Sequence, residues 1–288
     1  MRKKVIALAM IAAMVVSLTA CGGKNNDKQG KDSTETLKVA YQSGIAYAPI
    51  LVMKDQKLIE KNYDGNVDID WQLLSGGAAI SEGLTSNTVD VGAIGTGVAI
   101  TGAKAGAPYK IFAGMSSQPY RISTNKEEIK TLKDITKEDQ IAITGIKSQP
   151  HIVLAMAAKA YLGDAHALDA NLVAQPNADG YTSLVSGAVQ CHMIMSPYCF
   201  MEQNKEGIHQ IEVDESVWPV GDTTIVGVAT EKLKEERPKL YEAVCKAMDD
   251  AIEFINDNPE KTADILKDYY DASQEEIVSW LTNDASVF

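Results

Sequence analysis

Six short loops of this chain are rich in glycine, serine, threonine or asparagine, and most of them open a helix. The loops span residues 42–47, 75–78, 95–97, 144–149, 176–179 and 196–198. Helix N-termini present free N–H groups and a partial positive charge, so they attract anionic or strongly polar groups. The same residue types also occur in turns for purely conformational reasons. The prediction of a binding site for a small polar solute therefore depends on the set of six loops and not on any one of them.

Four residues of these loops are candidates both to cap a helix and to reach a ligand, namely Ser75, Thr96, Ser148 and Asn177. Tyr47 and Tyr198 are candidate apolar walls for an alkyl or aromatic group. Tyr41 is a third candidate, with core packing as an equal alternative. The predicted ligand-binding residues are Gln42, Tyr47, Ser75, Gly76, Gly95, Thr96, Arg121, Lys147, Ser148, Asn177, Ser196 and Tyr198.

Cations are scarce around these loops. Two cations are candidates to pair with an anionic group of the solute. Arg121 lies in a segment predicted to cross between two lobes of the protein, and Lys147 lies in one of the loops. For Arg121 the competing interpretation is a structural ion pair, and that interpretation is favoured.

The side chains that usually perform metal binding or covalent catalysis form no matching pattern. The run from Cys191 to Met195 alternates soft residues across a strand and contains no closed ligand set, so core packing is the favoured interpretation. The four histidines are scattered, and no nucleophile-elbow, zinc-protease or phosphate-loop motif is present. We therefore predict no metal, no cofactor and no catalytic residue. Three cysteines after residue 21 predict no essential disulfide, with a single bridge as the alternative.

The N-terminus combines a basic head, an apolar run over residues 5–18 and the tetrapeptide Leu18-Thr19-Ala20-Cys21. This order is typical of a secretory signal, and the run of 14 residues is shorter than the roughly 20 that a spanning helix needs. The tetrapeptide resembles a bacterial lipobox, which implies that Cys21 carries a lipid such as palmitate and becomes the new N-terminus. An ordinary signal peptide with an accidental cysteine is the alternative. We predict a signal over 1–20 and a flexible polar tether over 21–36.

The charge balance excludes one large class of partners. Removal of residues 1–20 lowers the lysine and arginine count from 27 to 24 against 39 acidic residues, so the formal charge falls from −12 to −15. Such an acidic chain lacks the basic surface that nucleic-acid binding needs. It also lacks a polybasic membrane patch, so membrane attachment depends on the lipid.

The positions of the loops follow from two blocks of alternating strands and helices. In the first block, strands are predicted at 37–42, 67–74, 89–94 and 109–115, and helices at 47–61, 75–86 and 98–105. In the second block, strands are predicted at 140–144, 171–174, 191–195 and 209–213, and helices at 149–162, 178–186 and 198–205. Helices at 235–258, 259–270 and 275–281 follow. Ligands of such sheets bind beyond the carboxyl ends of the strands, where the six loops lie.

The two blocks match at an offset of 100 residues, where Leu84, Ser86, Val89 and Ile94 correspond to Leu184, Ser186, Val189 and Ile194. Extended segments at 119–125 and 223–230 are predicted to cross between the blocks. The sequence therefore predicts an α/β protein with two similar lobes, lobe 1 from 37–118 plus 225–288 and lobe 2 from 119–224.

Several segments together resemble one transporter family. They are Val39-Ala40-Tyr41-Gln42, Ala48-Pro49, Lys57-Leu58-Ile59-Glu60-Lys61, Gly106-Ala107-Pro108 and the run from Gly83 to Gly92. Over about residues 37–260 their order is similar to that of the nitrate/sulfonate/taurine-type solute-binding proteins of ABC importers. Thiamine-precursor-binding and pyrimidine-synthase-like proteins share that superfamily. The resemblance implies a bilobed, type II periplasmic-binding-protein architecture with two hinge crossings.

The same resemblance implies a function. The expected role is that of an extracytoplasmic, lipid-anchored, monomeric receptor that captures a small anionic or polar solute and delivers it to an ABC permease in the membrane. Sulfonates, nitrate, taurine-like solutes and thiamine-precursor pyrimidines all remain open. The alternative is an enzyme of pyrimidine or thiamine-precursor metabolism on the same fold, which the lack of a cysteine-rich cluster weakens. Family members usually continue past a segment like 280–288, so part of the C-terminal packing on lobe 1 is expected to be absent, or the chain is a truncated form.

Overall fold

The computed structural model describes residues 34–213, 217–218 and 221–288. The predicted signal, Cys21 and nearly all of the predicted tether lie outside the described residues. Two five-stranded sheets organise the described part of the chain. The strands are β1 (Glu35–Tyr41), β2 (Val67–Leu73), β3 (Val91–Gly95), β4 (Tyr109–Ser116), β5 (Tyr120–Thr124), β6 (Ile141–Ile143), β7 (Leu172–Ala174), β8 (Cys191–Met195), β9 (His209–Ile211) and β10 (Ile225–Thr230).

Both sheets have the same internal order. The first sheet runs β2-β1-β3-β10-β4 and the second runs β7-β6-β8-β5-β9. In each, the first three strands are parallel, and the fourth is an antiparallel strand that the chain enters directly from the other sheet, from β9 into β10 and from β4 into β5. We call the first sheet with its helices lobe 1 and the second sheet with its helices lobe 2. The prediction of two similar α/β lobes is confirmed by this shared order.

Eleven α-helices cover these sheets in the described residues. They are α1 (Ala48–Asp55), α2 (Leu58–Asn62), α3 (Gly77–Thr85), α4 (Thr96–Lys104), α5 (Gln149–Leu162), α6 (Asn177–Ser186), α7 (Tyr198–Gln203), α8 (Glu231–Glu236), α9 (Pro238–Asp257), α10 (Pro259–Leu266) and α11 (Gln274–Leu281). None of the helices in this part of the chain has the length and apolar character that a membrane crossing requires.

The repeat at an offset of 100 has a structural counterpart. β3 and β8 lie 100 residues apart, and each follows a helix, α3 or α6, that ends in a small-residue turn. The matched leucines, valines and isoleucines at 84/184, 89/189 and 94/194 are all at most 2% exposed. Each lobe therefore buries the same helix-to-strand unit against its own sheet.

Two predicted helices are wrong because each is two helices. The helix expected over 47–61 ends at Asp55, and Lys57 adopts a left-handed conformation (φ 51°) before α2 begins. The turn lets α2 bury Ile59 completely while α2 packs on α9. The helix expected over 235–258 breaks at Arg237 (φ −133°), because Pro238 disfavours helical backbone in the residue before it.

The crossings between the lobes lie close together. β4 of lobe 1 ends at Ser116 and β5 of lobe 2 begins at Tyr120, so the first crossing covers 117–119. Thr224, just before β10, donates its N–H to the Ser116 carbonyl (2.9 Å), and its hydroxyl accepts the Gln118 N–H (3.0 Å). Val287, next to the last residue of the sequence, also forms a β-bridge with Ser117. Three segments of the chain therefore meet at the hinge.

Candidate ligand-binding cleft

The loops after the parallel strands of the two sheets face each other and are in contact. Gln149, the first residue of α5 in lobe 2, accepts a hydrogen bond from the Gly97 N–H of lobe 1 at its Oε1 atom (2.7 Å). The Asn177 amide of lobe 2 donates to the Ser43 carbonyl of lobe 1 (3.0 Å). Ser196 of lobe 2 donates its hydroxyl hydrogen bond to Oε1 of Gln118 at the hinge. The two lobes are thus closed on each other along this line, which we call the cleft.

Glycine allows this approach at two positions of lobe 1. A Cβ atom on Gly95 would lie 2.5 Å from the Gln149 Cβ, and one on Gly97 would lie 2.7 Å from the Ile152 Cδ1. The Gln149 Cβ cannot rotate away from Gly95, so a larger residue at 95 would force the lobes apart, whereas the flexible end of the Ile152 side chain can move away from residue 97. Gly44, in the loop after β1, needs glycine for a different reason: its φ of 141° is one that other residues rarely adopt.

The cleft is lined by uncharged polar side chains that are nearly inaccessible to solvent. Gln118 is 1% exposed, Gln149 3%, and Gln42 and Asn177 9% each. Four of the buried polar atoms in this layer have no hydrogen-bond partner among the described residues: Gln118 Nε2, Tyr120 OH, Gln149 Nε2 and Asn177 Oδ1. A buried polar group without a partner costs about 1–3 kcal/mol. Four such atoms at one inter-lobe contact therefore indicate a place where a polar solute supplies the missing partners.

The contacts that are made fix which amide atoms stay free. Gln149 uses its oxygen on the Gly97 N–H, and Gln118 uses its oxygen on the hydroxyls of Ser196 and Ser286 (3.2 Å to the latter). Asn177 uses its nitrogen on the Ser43 carbonyl. The free atoms are consequently two N–H donors, from Gln118 and Gln149, and one acceptor, from Asn177. The Tyr120 hydroxyl can act as either.

Tyrosine side chains border this polar layer. Burial raises the pKa of Tyr47, Tyr120, Tyr198 and Tyr270, so their hydroxyls stay protonated at neutral pH. Polar contacts partly offset this rise in pKa, from Gln42 at Tyr47, from Ser43 at Tyr198 and from the Gly44 backbone at Tyr270. The cleft therefore combines aromatic surface with neutral donors and acceptors, which suits a small solute with both polar edges and an apolar face.

The predicted site residues separate into two groups. Gln42, Tyr47, Gly95, Asn177, Ser196 and Tyr198 lie in the buried layer of the cleft. Ser75 and Lys147 are exposed, and Gly76 and Thr96 are partly exposed. Arg121 donates from Nη1 to the Tyr120 carbonyl (2.9 Å) and pairs in β5 with Ile194 of β8. Lys147 has a left-handed backbone (φ 64°), and its N–H donates to His151 Nδ1 (2.8 Å).

The predicted helix caps are correct at one position and wrong at three. Ser148 caps α5 by accepting the His151 N–H (3.4 Å). Gly76 occupies the cap of α3 in place of Ser75, because that helix begins two residues after Ser75. Thr96 and Asn177 are the first helical residues of α4 and α6, and their side chains bond to Thr223 and Ser43 across to other segments.

The sequence interpretation did not single out several residues of the cleft. Gln149 falls inside a predicted loop but was not chosen, and Gln118, Tyr120, Tyr270 and Ser286 lie outside all six loops. Gln118 and Tyr120 flank Pro119 at the start of a predicted crossing segment, which was a usable signal for a hinge. No local pattern marks Tyr270 or Ser286, because long-range folding brings them to the cleft.

Strand β8, which contains Cys191 and His192, is packed in the interior of lobe 2. Cys191 and Cys199 are buried free thiols, and burial raises the pKa of the Cys191 thiol to about 11. His192 contacts Glu202 through Nδ1 and Oε1 (2.5 Å), and both side chains are at most 1% exposed. Cys245 on α9 is a partly exposed free thiol. Within the described ranges, no group of three or more His, Cys, Asp or Glu side chains is placed to hold a metal ion.

The fold is shared with proteins of known structure. The periplasmic aliphatic sulphonate binding protein SsuA from Escherichia coli matches with a TM-score of 0.66 and 21% identity, over 86% of this chain and 83% of that one. The alkanesulfonate-binding SsuA from Xanthomonas axonopodis pv. citri, bound to MOPS, matches with a TM-score of 0.69 and 16% identity, over 85% of this chain and 83% of that one. The nitrate-binding protein NrtA from Synechocystis PCC 6803 matches with a TM-score of 0.69 and 17% identity, over 85% of this chain and 69% of that one.

The sequence itself also matches a family model. The model, described as the NMT1-like family, covers residues 30–267. A search of curated protein sequences returns no match to this chain. The resemblance to the nitrate/sulfonate-type solute-binding proteins is confirmed by the family model and by the shared fold. The chain therefore belongs to the NMT1-like family, and its two lobes have the bilobed architecture of the type II periplasmic binding proteins.

Proposed function

We propose that this protein is the extracytoplasmic solute-binding component of an ABC importer and holds one small polar solute between its lobes. The observation that carries the proposal is the set of four buried polar atoms without partners along the line where the lobes meet. The fold supports it, since the structurally similar proteins from Escherichia coli and Synechocystis bind a sulphonate and nitrate respectively. Closure around the solute would create the surface that a membrane permease recognises.

The free atoms of the cleft define the solute's chemistry. The N–H groups of Gln118 and Gln149 supply donors, and the N-terminal ends of α5 and α6, which begin at Gln149 and Asn177, add partial positive charge. These groups suit an oxyanion or a polar ring edge without a full counter-charge. The Asn177 oxygen, however, needs a donor from the solute. A taurine-like solute or an aminopyrimidine offers both, whereas nitrate offers only acceptors and leaves Asn177 unpaired.

Titration calorimetry with taurine, nitrate and 4-aminopyrimidine tests this assignment. Gln149→Glu is the sharpest variant, because it keeps an oxygen for the Gly97 N–H and replaces the free donor with a carboxylate oxygen. We expect at least a tenfold loss of affinity, which corresponds to about 1.4 kcal/mol. Gln190→Ala is the matched control, since the Gln190 side chain accepts the Gln140 N–H at the end of β8 that lies away from the cleft. Equal affinities for wild type and Gln149→Glu would contradict the proposal.

Attachment to the membrane is a separate part of the proposal. We propose that Cys21 is lipidated and that the chain to residue 36 tethers the lobes to the outer face of the cell membrane. The support is the order of basic head, apolar run and Leu-Thr-Ala-Cys in the sequence. Cys21→Ala should abolish incorporation of a labelled fatty acid in cells, and unchanged labelling would rule the anchor out.

The boundaries of the lobes and the oligomeric state also belong to this proposal. We place lobe 1 at 37–118 plus 225–288 and lobe 2 at 119–224, and we propose that the protein acts as a monomer. The fate of the bound solute separates this function from an enzyme on the same fold. A receptor releases the solute chemically unchanged after denaturation, whereas a converted product would identify an enzyme.

A further inference from the structure

The loop that leads into α5 is held by a histidine in the first turn of that helix. His151 is the third residue of α5, two positions after Gln149, and its Nδ1 atom accepts the Lys147 N–H (2.8 Å). The Ser148 hydroxyl accepts the His151 N–H in return (3.4 Å). The two reciprocal bonds resemble a capping box in which an imidazole takes the place of the usual glutamate and reaches one residue further back.

The bond to Lys147 fixes the tautomer of His151. A backbone N–H can only donate, so Nδ1 must offer a lone pair, and the neutral imidazole carries its hydrogen on Nε2. Nε2 lies 3.4 Å from the Asp169 Oδ1 atom, which is an acceptor. Asp169 can bind either the neutral or the protonated ring, whereas Lys147 can bind only the neutral one. The two protonation states of His151 therefore have different partners.

The backbone of Lys147 depends on this bond. Its φ of 64° lies in the left-handed region, which a residue with a side chain adopts only where its surroundings hold it there. Protonation of Nδ1 would set two N–H donors against each other at this point. It would also place a positive charge beside the partial positive charge of the helix N-terminus. Loss of the Ser148 hydroxyl would do neither, because the bond between Lys147 and His151 would remain.

Few other charges surround His151, whose side chain is 15% exposed. Asp169 is its only ion-pair partner in the described ranges, and that carboxylate also pairs with His166 (2.8 Å), which is 78% exposed and lies near Asp164. β8 directs the Cys191 thiol towards α5, and burial raises the pKa of that thiol, so it is uncharged. The other charged side chains of α5 and of the elements packed closely on it do not pair with His151: Lys104, Lys133, Asp134 and Lys159.

We infer that His151 is a positioning residue: its neutral ring holds the loop so that the Gln149 amide faces the cleft, and its protonation releases the loop and weakens solute binding. Histidine is the side chain whose charge changes between about pH 5 and 8, so binding would be strong at neutral pH and weak in mild acid. The inference rests on the proposed function, because Gln149 joins the lobes and offers a donor to the solute.

Calorimetry with taurine at about pH 7.5 and about pH 5.5 tests the coupling to binding. Taurine suits the test because it stays zwitterionic at both values. We expect the wild-type affinity to fall by about tenfold between them, because a molecule with a protonated His151 would not be competent to bind. His151→Asn is the sharpest variant, since its Oδ1 can replace Nδ1 as the acceptor and does not titrate. It should have the same affinity at both pH values.

His166→Asn is the matched control for these measurements. It removes the exposed histidine that shares Asp169, and it should keep the acid loss of the wild type. If His151→Asn does not fold, His151→Gln takes its place, because glutamine also offers an acceptor that does not titrate.

Nitrogen-edited NMR of the labelled protein without solute gives a second measurement. The signals of the His151 ring, the Lys147 backbone amide and the Gln149 side-chain amide should move with a common midpoint as the pH is lowered. In His151→Asn the two amide signals should stay in place. In His166→Asn they should move as in the wild type, which separates the Lys147 bond from the general effect of a nearby charge.

The outcomes separate this inference from the proposed function. A Gln149 amide that titrates with the His151 ring, together with an affinity that survives acid in His151→Asn, supports the positioning role. A Lys147 or Gln149 amide that does not follow the His151 ring overturns it. Equal wild-type affinities at the two pH values, or an acid loss that persists in His151→Asn, also overturn it. Absence of taurine binding at both values would count against the proposed solute alone, and the NMR titration would then decide the inference.

Discussion

The Gln149 side chain of lobe 2 accepts a 2.7 Å hydrogen bond from the Gly97 N–H of lobe 1, and this contact joins the first turns of α5 and α4. The same amide leaves its nitrogen free and buried. One residue thus holds the lobes together and offers a donor to a solute. Binding and closure are therefore expected to be coupled, because both use Gln149 in a single orientation.

Gly95→Ala should weaken binding by preventing closure. The new Cβ would lie 2.5 Å from the Gln149 Cβ, whereas separated lobes would avoid the clash. We expect at least a tenfold loss of solute affinity in calorimetry and little change in melting temperature without solute. Gly76→Ala is the control, since no atom lies within 4 Å of the added Cβ. Wild-type affinity in Gly95→Ala would show that the lobes need not approach this closely.

Ser148→Ala should affect stability and not recognition. Its hydroxyl accepts the His151 N–H as the cap of α5. Loss of such a cap usually costs about 1 kcal/mol. Urea denaturation should report this loss, and Ser148→Asp should restore most of the free energy of unfolding because aspartate also caps helices. A large loss of solute affinity in Ser148→Ala, beyond the destabilisation, would instead make Ser148 a ligand contact.

Ser286→Ala should weaken binding from a distance. Ser286 donates to Gln118 Oε1 (3.2 Å) and helps to hold the Gln118 amide with its nitrogen free. A hydrogen bond of this kind contributes about 0.5–1.5 kcal/mol, so affinity should fall by about tenfold or less. Ser279→Ala is the control, because the Ser279 hydroxyl bonds only to the Glu276 carbonyl on the surface of α11. Equal affinities in the two variants would remove Ser286 from the account.

Asp139 should contribute stability that disappears in acid. Burial opposes its ionisation, but hydrogen bonds from Lys126 (2.6 Å) and Thr136 outweigh it, so the pKa of Asp139 lies below its usual value. A lowered folded-state pKa stabilises the protein above about pH 4, the unfolded value, and this contribution is lost as pH falls through the folded value.

Asp139→Asn should therefore be less stable than wild type at pH 7, by about 1–3 kcal/mol, since the bonds to a charged acceptor are lost. The difference in free energy of unfolding between the variant and the wild type should stay constant down to about pH 5 and then narrow as the pH falls further. Urea unfolding of both proteins at a series of pH values measures this difference. A difference that grows as the pH is lowered would mean that the pKa is raised and the assignment has the wrong sign.

The strands and helices with strong periodicity could be predicted from the sequence. The predicted bounds of α5 and β8 are those of the structure, because each is a continuous, largely apolar segment between clear turn residues. The break at Lys57 could not be predicted in this way. A left-handed lysine has no local signal, and the turn exists because Ile59 must reach the core beside α9. The break at Arg237 could be predicted, because Pro238 disfavours helical backbone in the residue before it.

The candidate site could be predicted as a region but only partly as residues. Asn177 and Ser196 follow from the rule that ligands bind beyond the carboxyl ends of strands. Gln118 escapes that rule because it lies on a hinge crossing, and Ser286 reaches it only through the bridge between Val287 and Ser117. A cluster of unpartnered buried atoms is a property of the folded protein, so no sequence pattern reports it.

Native mass spectrometry of the gently purified protein, followed by small-angle scattering with the molecule it carries, tests the central claim most directly. We expect the wild type to carry a single small molecule that is recovered chemically unchanged. Gln149→Glu and Gly95→Ala should lose this molecule, and restoring it to emptied wild type should shrink the radius of gyration. Retention of the same molecule by both variants, with no compaction of the wild type, would contradict binding between the lobes.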